Sequence, residues 1–295
     1  MKVLIIGLGY VGTILADRLA ADGHQVTGLR RGRSEGPTPE HEDVEIRTGD
    51  ISSPDGYANI KKTFDWVIHC ASSSRGGMGG YRAVFETGTS LLSEWLRRHR
   101  PQRFVFTSST SVYAQTDGSV VDELSPANGA GETGRILAAA ERAFLEIAGD
   151  ATCSTILRVA GIYGPERGHL FLKFLKDEAI ITGDPDRYLN QIHRDDVVGA
   201  IAHILAAESP PSVVNIADNE PVKQVDFFQW LSEQLGKPMP PKNPDPGKRK
   251  RSITDKQVDN KRMLRELKYQ LKFPSFRDGY GSEIERLGLA GRDKS

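Results

Sequence analysis

Lys2-Val3-Leu4-Ile5-Ile6-Gly7-Leu8-Gly9-Tyr10-Val11-Gly12 opens the chain, and its reading decides the fold. One lysine and four branched apolar residues run straight into glycines spaced G-x-G-x-x-G. Behind them, residues 13–21 repeat apolar side chains at helical spacing. Such a strand–turn–helix is suited to paired phosphates. Gly7 allows the tight turn, Gly9 lets the backbone approach a pyrophosphate, and Gly12 lets helix and strand pack closely. The helix start then presents amides and the positive end of its dipole to the anion. Leu8, Tyr10 and Val11 complete a loop expected to bind a dinucleotide.

Working outward, short apolar runs at 25–29, 44–47, 66–70, 103–107 and 154–158 alternate with helix-like stretches at 11–21, 81–98, 133–148 and 195–207. Continuous apolar strands separated by helices predict a parallel sheet covered on both faces. Right-handed crossovers then make it doubly wound. Past residue 165 the rhythm loosens: a helix at 169–178, a strand at 213–216, a helix at 224–235, a Pro-rich connector at 238–246, and one or two small helices beyond 259. The expected fold class is α/β, a doubly wound parallel Rossmann sheet with a smaller discontinuous C-terminal substrate domain. Residues 1–165 and 192–217 are assigned to the NAD(P)-binding domain, and 166–191 and 218–295 to the smaller one.

The end of the second strand bears on the choice of cofactor. An NAD site usually places an Asp or Glu there for the ribose 2′-hydroxyl. Here the strand ends at Arg30 and Arg31, with Arg33 beyond. Guanidinium groups suit a 2′-phosphate, so NADP is favoured and NAD is the alternative.

Composition excludes several classes. Thirty-nine basic residues balance thirty-nine acidic ones, so no global field recruits nucleic acid or an anionic membrane. No apolar run approaches the length of a membrane helix, and the first residues lack a signal-peptide pattern. Two cysteines, Cys70 and Cys153, fit a reducing compartment, so a cytoplasmic location is expected. Neither these nor the seven histidines show metal-ligand spacing, and no metal is expected. The basic run Lys248–Arg251 is a solvated loop or a contact for a substrate diphosphate. The expected partner is a small-molecule substrate, and a homodimer stays open.

Beyond the glycine loop, several blocks together resemble the extended short-chain dehydrogenase/reductase superfamily, its nucleotide-sugar epimerase and dehydratase group. Gly49-Asp50-Ile51 resembles the acidic turn after the third strand, which implies that Asp50 and Ile51 meet the adenine. Cys70-Ala71-Ser72 stands where that family has a small-residue loop beside the cofactor ribose and nicotinamide. Phe106-Thr-Ser-Ser-Thr-Ser-Val-Tyr113 is similar to the segment carrying the catalytic hydroxyl, which falls on Ser109. Arg158-Val-Ala-Gly-Ile-Tyr-Gly-Pro165, Ile192-His-Arg-Asp-Asp-Val197 and Val214-Asn-Ile-Ala-Asp218 resemble its later signatures.

The resemblance breaks at the catalytic centre. The family's acid/base is a Tyr with a Lys four residues on, both on one helical face. Here Thr133 and Leu137 stand at those places. Tyr57 with Lys61 has the spacing but lies between strands three and four, on the adenine side. Leu137 also continues an apolar stripe of Ile136, Ala140, Phe144, Ile147 and Ala148. A Thr hydroxyl titrates far above a phenol, so Thr133 is a poor proton donor. Glu132, Tyr113, Tyr163 and His193 are replacement candidates, each with a structural reading as well: helix-end acid, packing tyrosines, hydrogen-bonded histidine. The expected function is an NAD(P)-dependent oxidoreductase or epimerase/dehydratase-like enzyme of atypical active site, acting on a small hydroxyl or carbonyl substrate, nucleotide sugars among the options. The alternative is a non-catalytic NADP(H)-binding sensor.

Overall fold

The computed structural model describes residues 1–32, 36–58, 60, 63–73, 76–147, 152–243 and 254–289. Arg33, Lys61, Ala148, the run 248–251 and the end of the connector lie outside the described residues. Val3, Leu4, Ile5 and Ile6 of β1 (Lys2–Ile6) are fully buried, as a strand covered on both faces must be. Around it stand β2 (Gln25–Arg30), β3 (Glu45–Thr48), β4 (Trp66–His69), β5 (Arg103–Ser109), β6 (Cys153–Val159) and β7 (Val213–Ile216). Their order is β3-β2-β1-β4-β5-β6-β7, and every pair is parallel. The order reverses between β1 and β4. At such a switch point the crossovers depart to opposite faces and leave a crevice at the strands' carboxyl ends.

Helices α1 (Gly12–Ala21), α2 (Gly88–His99), α3 (Glu132–Leu145), α4 (His169–Leu175), α5 (Arg194–Ala206), α6 (Gln224–Leu235) and α7 (Phe276–Arg286) complete the main elements. α1 packs with α5, and α2 with α3. The expected helix at 81–98 begins earlier, at Gly77, and passes through a π-helical turn at Ala83–Thr87. Such turns are rare and frequent at functional sites, and this one carries Phe85 to the crevice.

Among the described residues the core falls into two apolar clusters. The larger runs through the sheet and also takes in Val258, Met263 and Leu267 from the C-terminal part. The smaller one joins Tyr163, Phe171, Phe174, Phe227, Phe228, Phe276 and Tyr280. Tyr163 stacks on Tyr280 at 4.1 Å, and Gly279 makes room for it: a β-carbon there would lie 2.0 Å from the Tyr163 hydroxyl. Asp196, fully buried on α5, accepts hydrogen bonds from the Tyr269 hydroxyl at 3.0 Å and from the amides of Lys272 and Phe273 at 2.6 and 2.9 Å. That one carboxylate ties the C-terminal segment to the sheet domain.

Small pairings outside the main sheet escape the sequence pattern, among them two parallel ones, Gly161–Tyr163 with Gln191–His193 and Thr116–Val121 with Asp255–Val258. The stretch 116–121 is mostly polar and solvent-facing, so it carries no buried alternation to read. Within the connector, Lys242–Asn243 pairs with Ile181–Thr182.

His69 ends β4 among Phe85, Phe106 and Phe144, with ring centroids 5.1 to 6.2 Å away. Burial pushes its imidazole down to about 4, and its Nδ1 has no partner among the described residues. The unfolded chain therefore takes up a proton near pH 6.5 that the folded protein refuses. Stability from this residue is complete above about pH 6.5 and is lost as pH falls toward 4. The urea midpoint is expected to drop across that window, with a shallower drop in His69→Phe. Identical slopes for both proteins would remove His69 from the account.

Candidate functional site

A trench runs along the carboxyl ends of the strands on both sides of the switch point. Its narrower arm, about 130 Å³, is walled by the glycine loop, Leu29, Arg30, Arg31, Gly49, Ile51 and the loop Cys70-Ala71-Ser72. The wider arm, about 360 Å³, shares Gly9, Cys70, Ala71 and Ser72 and continues to Tyr10, Tyr81, Phe85, Ser109, Thr133, Leu137 and Arg167. A larger cavity, about 620 Å³, lies at the opposite ends of β1 and β2 around Lys2, His24 and Glu45, away from the glycine loop. Volume therefore does not pick the site; convergence of the loops does.

The three glycines differ in what they permit. Gly7 has φ +102°, and a β-carbon there would lie 2.5 Å from the Ala71 amide nitrogen. On Gly12 it would meet the Gly7 carbonyl oxygen at 2.0 Å. Those two are glycine because backbone approaches backbone. Around Gly9 a β-carbon would meet nothing within 4 Å, so internal packing does not demand its bareness. No side chain caps α1 at Val11 either. An open glycine before an uncapped helix start leaves backbone amides free to receive an anion.

At the narrow end, Arg30 Nη1 is buried without a hydrogen-bond partner among the described residues. Arg31 lines the same arm, and its charge helps hold the Asp50 carboxyl below its ordinary value, after the larger effect of the Ser52 hydrogen bonds. Asp50 itself is exposed and accepts from the Ser52 amide and hydroxyl at 2.9 and 2.7 Å. Its neighbours Gly49 and Ile51 form the wall.

In the wide arm the structure brings together Ser109 from the end of β5 and Thr133 and Leu137 from α3. Ser109 Oγ accepts from the Ser111 amide at 3.2 Å. Thr133 is half-buried and Leu137 is buried. Glu132 is exposed, paired with Arg82, and outside the trench wall. The other candidates are structural. Tyr113 is fully buried and donates to Asn215 Oδ1 at 2.7 Å while accepting from Arg158 Nη1 at 3.0 Å. Tyr163 belongs to the second apolar cluster. His193 accepts the Asp195 amide at 3.1 Å as the cap of α5, and burial pushes it down to about 4. Tyr57, of the isolated Tyr/Lys spacing, is buried in the sheet core with its hydroxyl unpartnered among the described residues.

Beneath the trench lies a charged network. Glu141, four residues beyond Leu137 on α3, is 2 % exposed and accepts from the Ser108 hydroxyl. It also binds Arg158 through Nε at 3.1 Å and Nη2 at 2.9 Å. The pair fixes α3 against β5 and β6, and so sets where Thr133 stands relative to Ser109.

The sequence reading missed Tyr81, Phe85, Ser73, Ser111, Ile162 and Arg167 as wall residues. Tyr10 also has a role that its motif did not reveal. Its hydroxyl donates to the Pro165 carbonyl at 2.9 Å, and the guanidinium carbons of Arg167 and Arg194 lie 4.8 and 5.1 Å from its ring centroid. Burial pushes its phenol up to about 12. No local sequence signal pairs Tyr10 with residues 155 or more positions away.

Strand order, switch-point crevice and glycine loop define a doubly wound protein with a trench at the carboxyl ends of its strands. The profile of the NAD dependent epimerase/dehydratase family matches residues 3–217, and the chain belongs to that family, within the extended short-chain dehydrogenase/reductase superfamily. Protein YeeZ of Escherichia coli K12 is 30% identical, over 92% of this chain and 96% of its own. A 3 beta-hydroxysteroid dehydrogenase/Delta 5-->4-isomerase of Mycobacterium tuberculosis H37Rv is 29% identical, over 81% of this chain and 70% of its own. In fold, the chain is similar to UDP-glucuronic acid 4-epimerase from Bacillus cereus, solved with UDP-glucuronic acid and NAD. There the TM-score is 0.78 at 22% identity, over 98% of this chain and 99% of that one. Among the described residues no helix is long and apolar enough to cross a membrane.

Proposed function

We propose that the chain binds a nicotinamide dinucleotide along the trench, NADP(H) in preference to NAD(H), and acts as an oxidoreductase or epimerase/dehydratase-like enzyme on a small hydroxyl or carbonyl substrate. The observation that carries this reading is Gly9, bare without any internal reason, between an uncapped helix start and Arg30, whose Nη1 is buried without a partner among the described residues. The residues present fit the cofactor. Gly7, Leu8, Gly9, Tyr10, Val11 and Gly12 would hold the phosphates, Arg30 and Arg31 a 2′-phosphate, Asp50 and Ile51 the adenine side, and Cys70, Ala71 and Ser72 the ribose and nicotinamide side. When bound, the nicotinamide ring exchanges a hydride with a substrate carbon.

The chain's own work is then binding, water exclusion and proton handling. Ser109 would hydrogen-bond the substrate oxygen, with Thr133 on the facing helix adding a second hydroxyl. Leu137 fills the family's lysine position with apolar bulk. No carboxylate or imidazole lies among the described wall residues, and the Tyr10 hydroxyl is committed to the Pro165 carbonyl, so a proton would reach the oxygen from solvent through these hydroxyls or from the Tyr81 phenol. Burial pushes the Cys70 thiol, also in the wall, up to about 12. With both thiols free, the reducing cytoplasm is the compartment we assign.

Turnover is tested by following NADPH oxidation across a panel of carbonyl compounds. Removing one hydrogen-bond donor to a developing oxyanion commonly costs roughly 10²–10³ in kcat, and Ser109→Ala is expected to fall in that range with cofactor affinity kept. Unchanged turnover in that variant would remove Ser109 from the chemistry. The same missing acid favours a second reading, a non-catalytic NADP(H) sensor. Tight NADPH binding with no turnover across the panel would support it.

Cofactor choice has its own test. Arg30→Ala is expected to weaken NADPH by about ten- to a hundred-fold and NADH far less, the usual worth of a hydrogen bond to a charged group. Equal losses for both would contradict a 2′-phosphate contact.

A further inference from the structure

Among the described wall residues, the wide arm of the trench is lined with hydroxyls and carries a single charge. Thr107, Ser108, Ser109, Ser111 and Thr133 contribute alcohols, and Arg167 is the only Lys, Arg, Asp or Glu among the described wall residues. No carboxylate pairs with Arg167 among the described residues, whereas the neighbouring Arg194 is tied to Asp195 at 3.1 Å. Arg167 is exposed yet placed. Its guanidinium lies over the Tyr10 ring, and its loop is bent by Gly164 and Gly168, with φ +137° and +127°. The Arg167 amide donates to the Gly164 carbonyl at 2.9 Å, and the Tyr10 hydroxyl fastens the same loop through Pro165. A planar fork of donors, pinned by an aromatic face at the mouth of a hydroxyl-lined cavity, matches an oxyanion in two-point contact.

We propose that the substrate carries a carboxylate or phosphate group and that Arg167 binds it, while the reacting carbon lies deeper, beside Ser109 and Thr133. This rests on the reading of the trench given above, and it narrows the substrate to a compact oxyanion-bearing hydroxyl or carbonyl compound. The cavity, about 360 Å³, is at the small end of the roughly 300–1,000 Å³ range of ligand sites, and the nicotinamide end of a cofactor takes part of it. Tyr10 is the positioning residue. Its ring and its hydroxyl bond to Pro165 set where the Arg167 guanidinium stands at the mouth of the cavity.

The first test is calorimetry with malonate and with inorganic phosphate on the full chain saturated with NADP⁺, at constant ionic strength. The wild type is expected to bind one or both. Arg167→Gln should weaken them by roughly ten- to a hundred-fold, Arg167→Lys by less, and NADP⁺ affinity should be the same in all three. A preference between the two probes tells carboxylate from phosphate. No binding of either anion, equal binding in Arg167→Gln, or a parallel loss of NADP⁺ affinity would each overturn the assignment. The second test offers matched carbonyls with NADPH, 2-oxobutyrate against 2-butanone and dihydroxyacetone phosphate against dihydroxyacetone. Turnover of the neutral members equal to that of the anionic ones would sink the anion site and leave the oxidoreductase reading intact. Arg167-dependent anion binding without turnover would do the reverse.

Discussion

Gly12→Ala is expected to weaken NADP(H) binding by about 5- to 150-fold and to lower stability as well, because overpacking of a tight site costs roughly 1–3 kcal/mol. The methyl group would sit 2.0 Å from the Gly7 carbonyl oxygen, so α1 must move off β1 or the loop must open. Either motion re-aims the amides that face the phosphates. Gly9→Ala separates fit from folding. Its added carbon meets nothing within 4 Å, and its φ is not in the left-handed region, so the urea midpoint should stay at the wild-type value. The same carbon intrudes where a pyrophosphate would press against the backbone, so affinity should fall by a comparable factor. A Gly12→Ala protein with wild-type stability and affinity would mean that the loop tolerates the shift.

The second large effect is expected from the ion pair under the trench. Glu141→Gln leaves the Arg158 guanidinium, 6 % exposed, without its counter-charge. Removing one partner of a buried pair typically costs about 3–5 kcal/mol, far more than the pair contributes relative to apolar replacements. Urea denaturation should show that loss as a lower midpoint at similar slope. The double variant Glu141→Leu with Arg158→Met should recover much of it, since neither charge is then stranded. A single-variant loss below about 1 kcal/mol, the level of an exposed pair, would show that water reaches the network.

These two sites also show how far the sequence could be read. The glycine loop was legible because a strand, three glycines and a helix follow one another within twenty residues. The inner strands of the sheet were legible for a related reason: buried parallel strands are continuous apolar runs, and that pattern is local, whereas the edge strand β3, Glu-Ile-Arg-Thr with no fully buried residue, carries it only weakly. Arg30 and Arg31 could be placed from their position at the end of β2 alone. Glu141 could not, because a charge in mid-helix ordinarily faces water; the faint signal is that it interrupts the apolar stripe between Leu137 and Phe144. Arg158 similarly sits in a buried strand, directly after the apolar pair Ile156-Leu157. Arg167 was invisible because what gives it a role is contact with Tyr10, far away in sequence. The demotion of His193 and Tyr163 to structural work likewise depends on neighbours in the fold, the Asp195 amide and Tyr280. Glu132 looked like a substitute acid by adjacency to Thr133, yet successive helix positions point apart, and Arg82 holds it outside the trench.

The central claim is that a dinucleotide's phosphates rest on the bare backbone at Gly9. Titration calorimetry of NADP⁺ into wild-type protein and into Gly9→Ala tests it most directly. Saturable one-to-one binding is expected for the wild type, and binding weakened by at least about fivefold in a variant of unchanged urea midpoint. No heat of binding to the folded wild type with either NADP⁺ or NAD⁺, or equal affinity in Gly9→Ala, would contradict it.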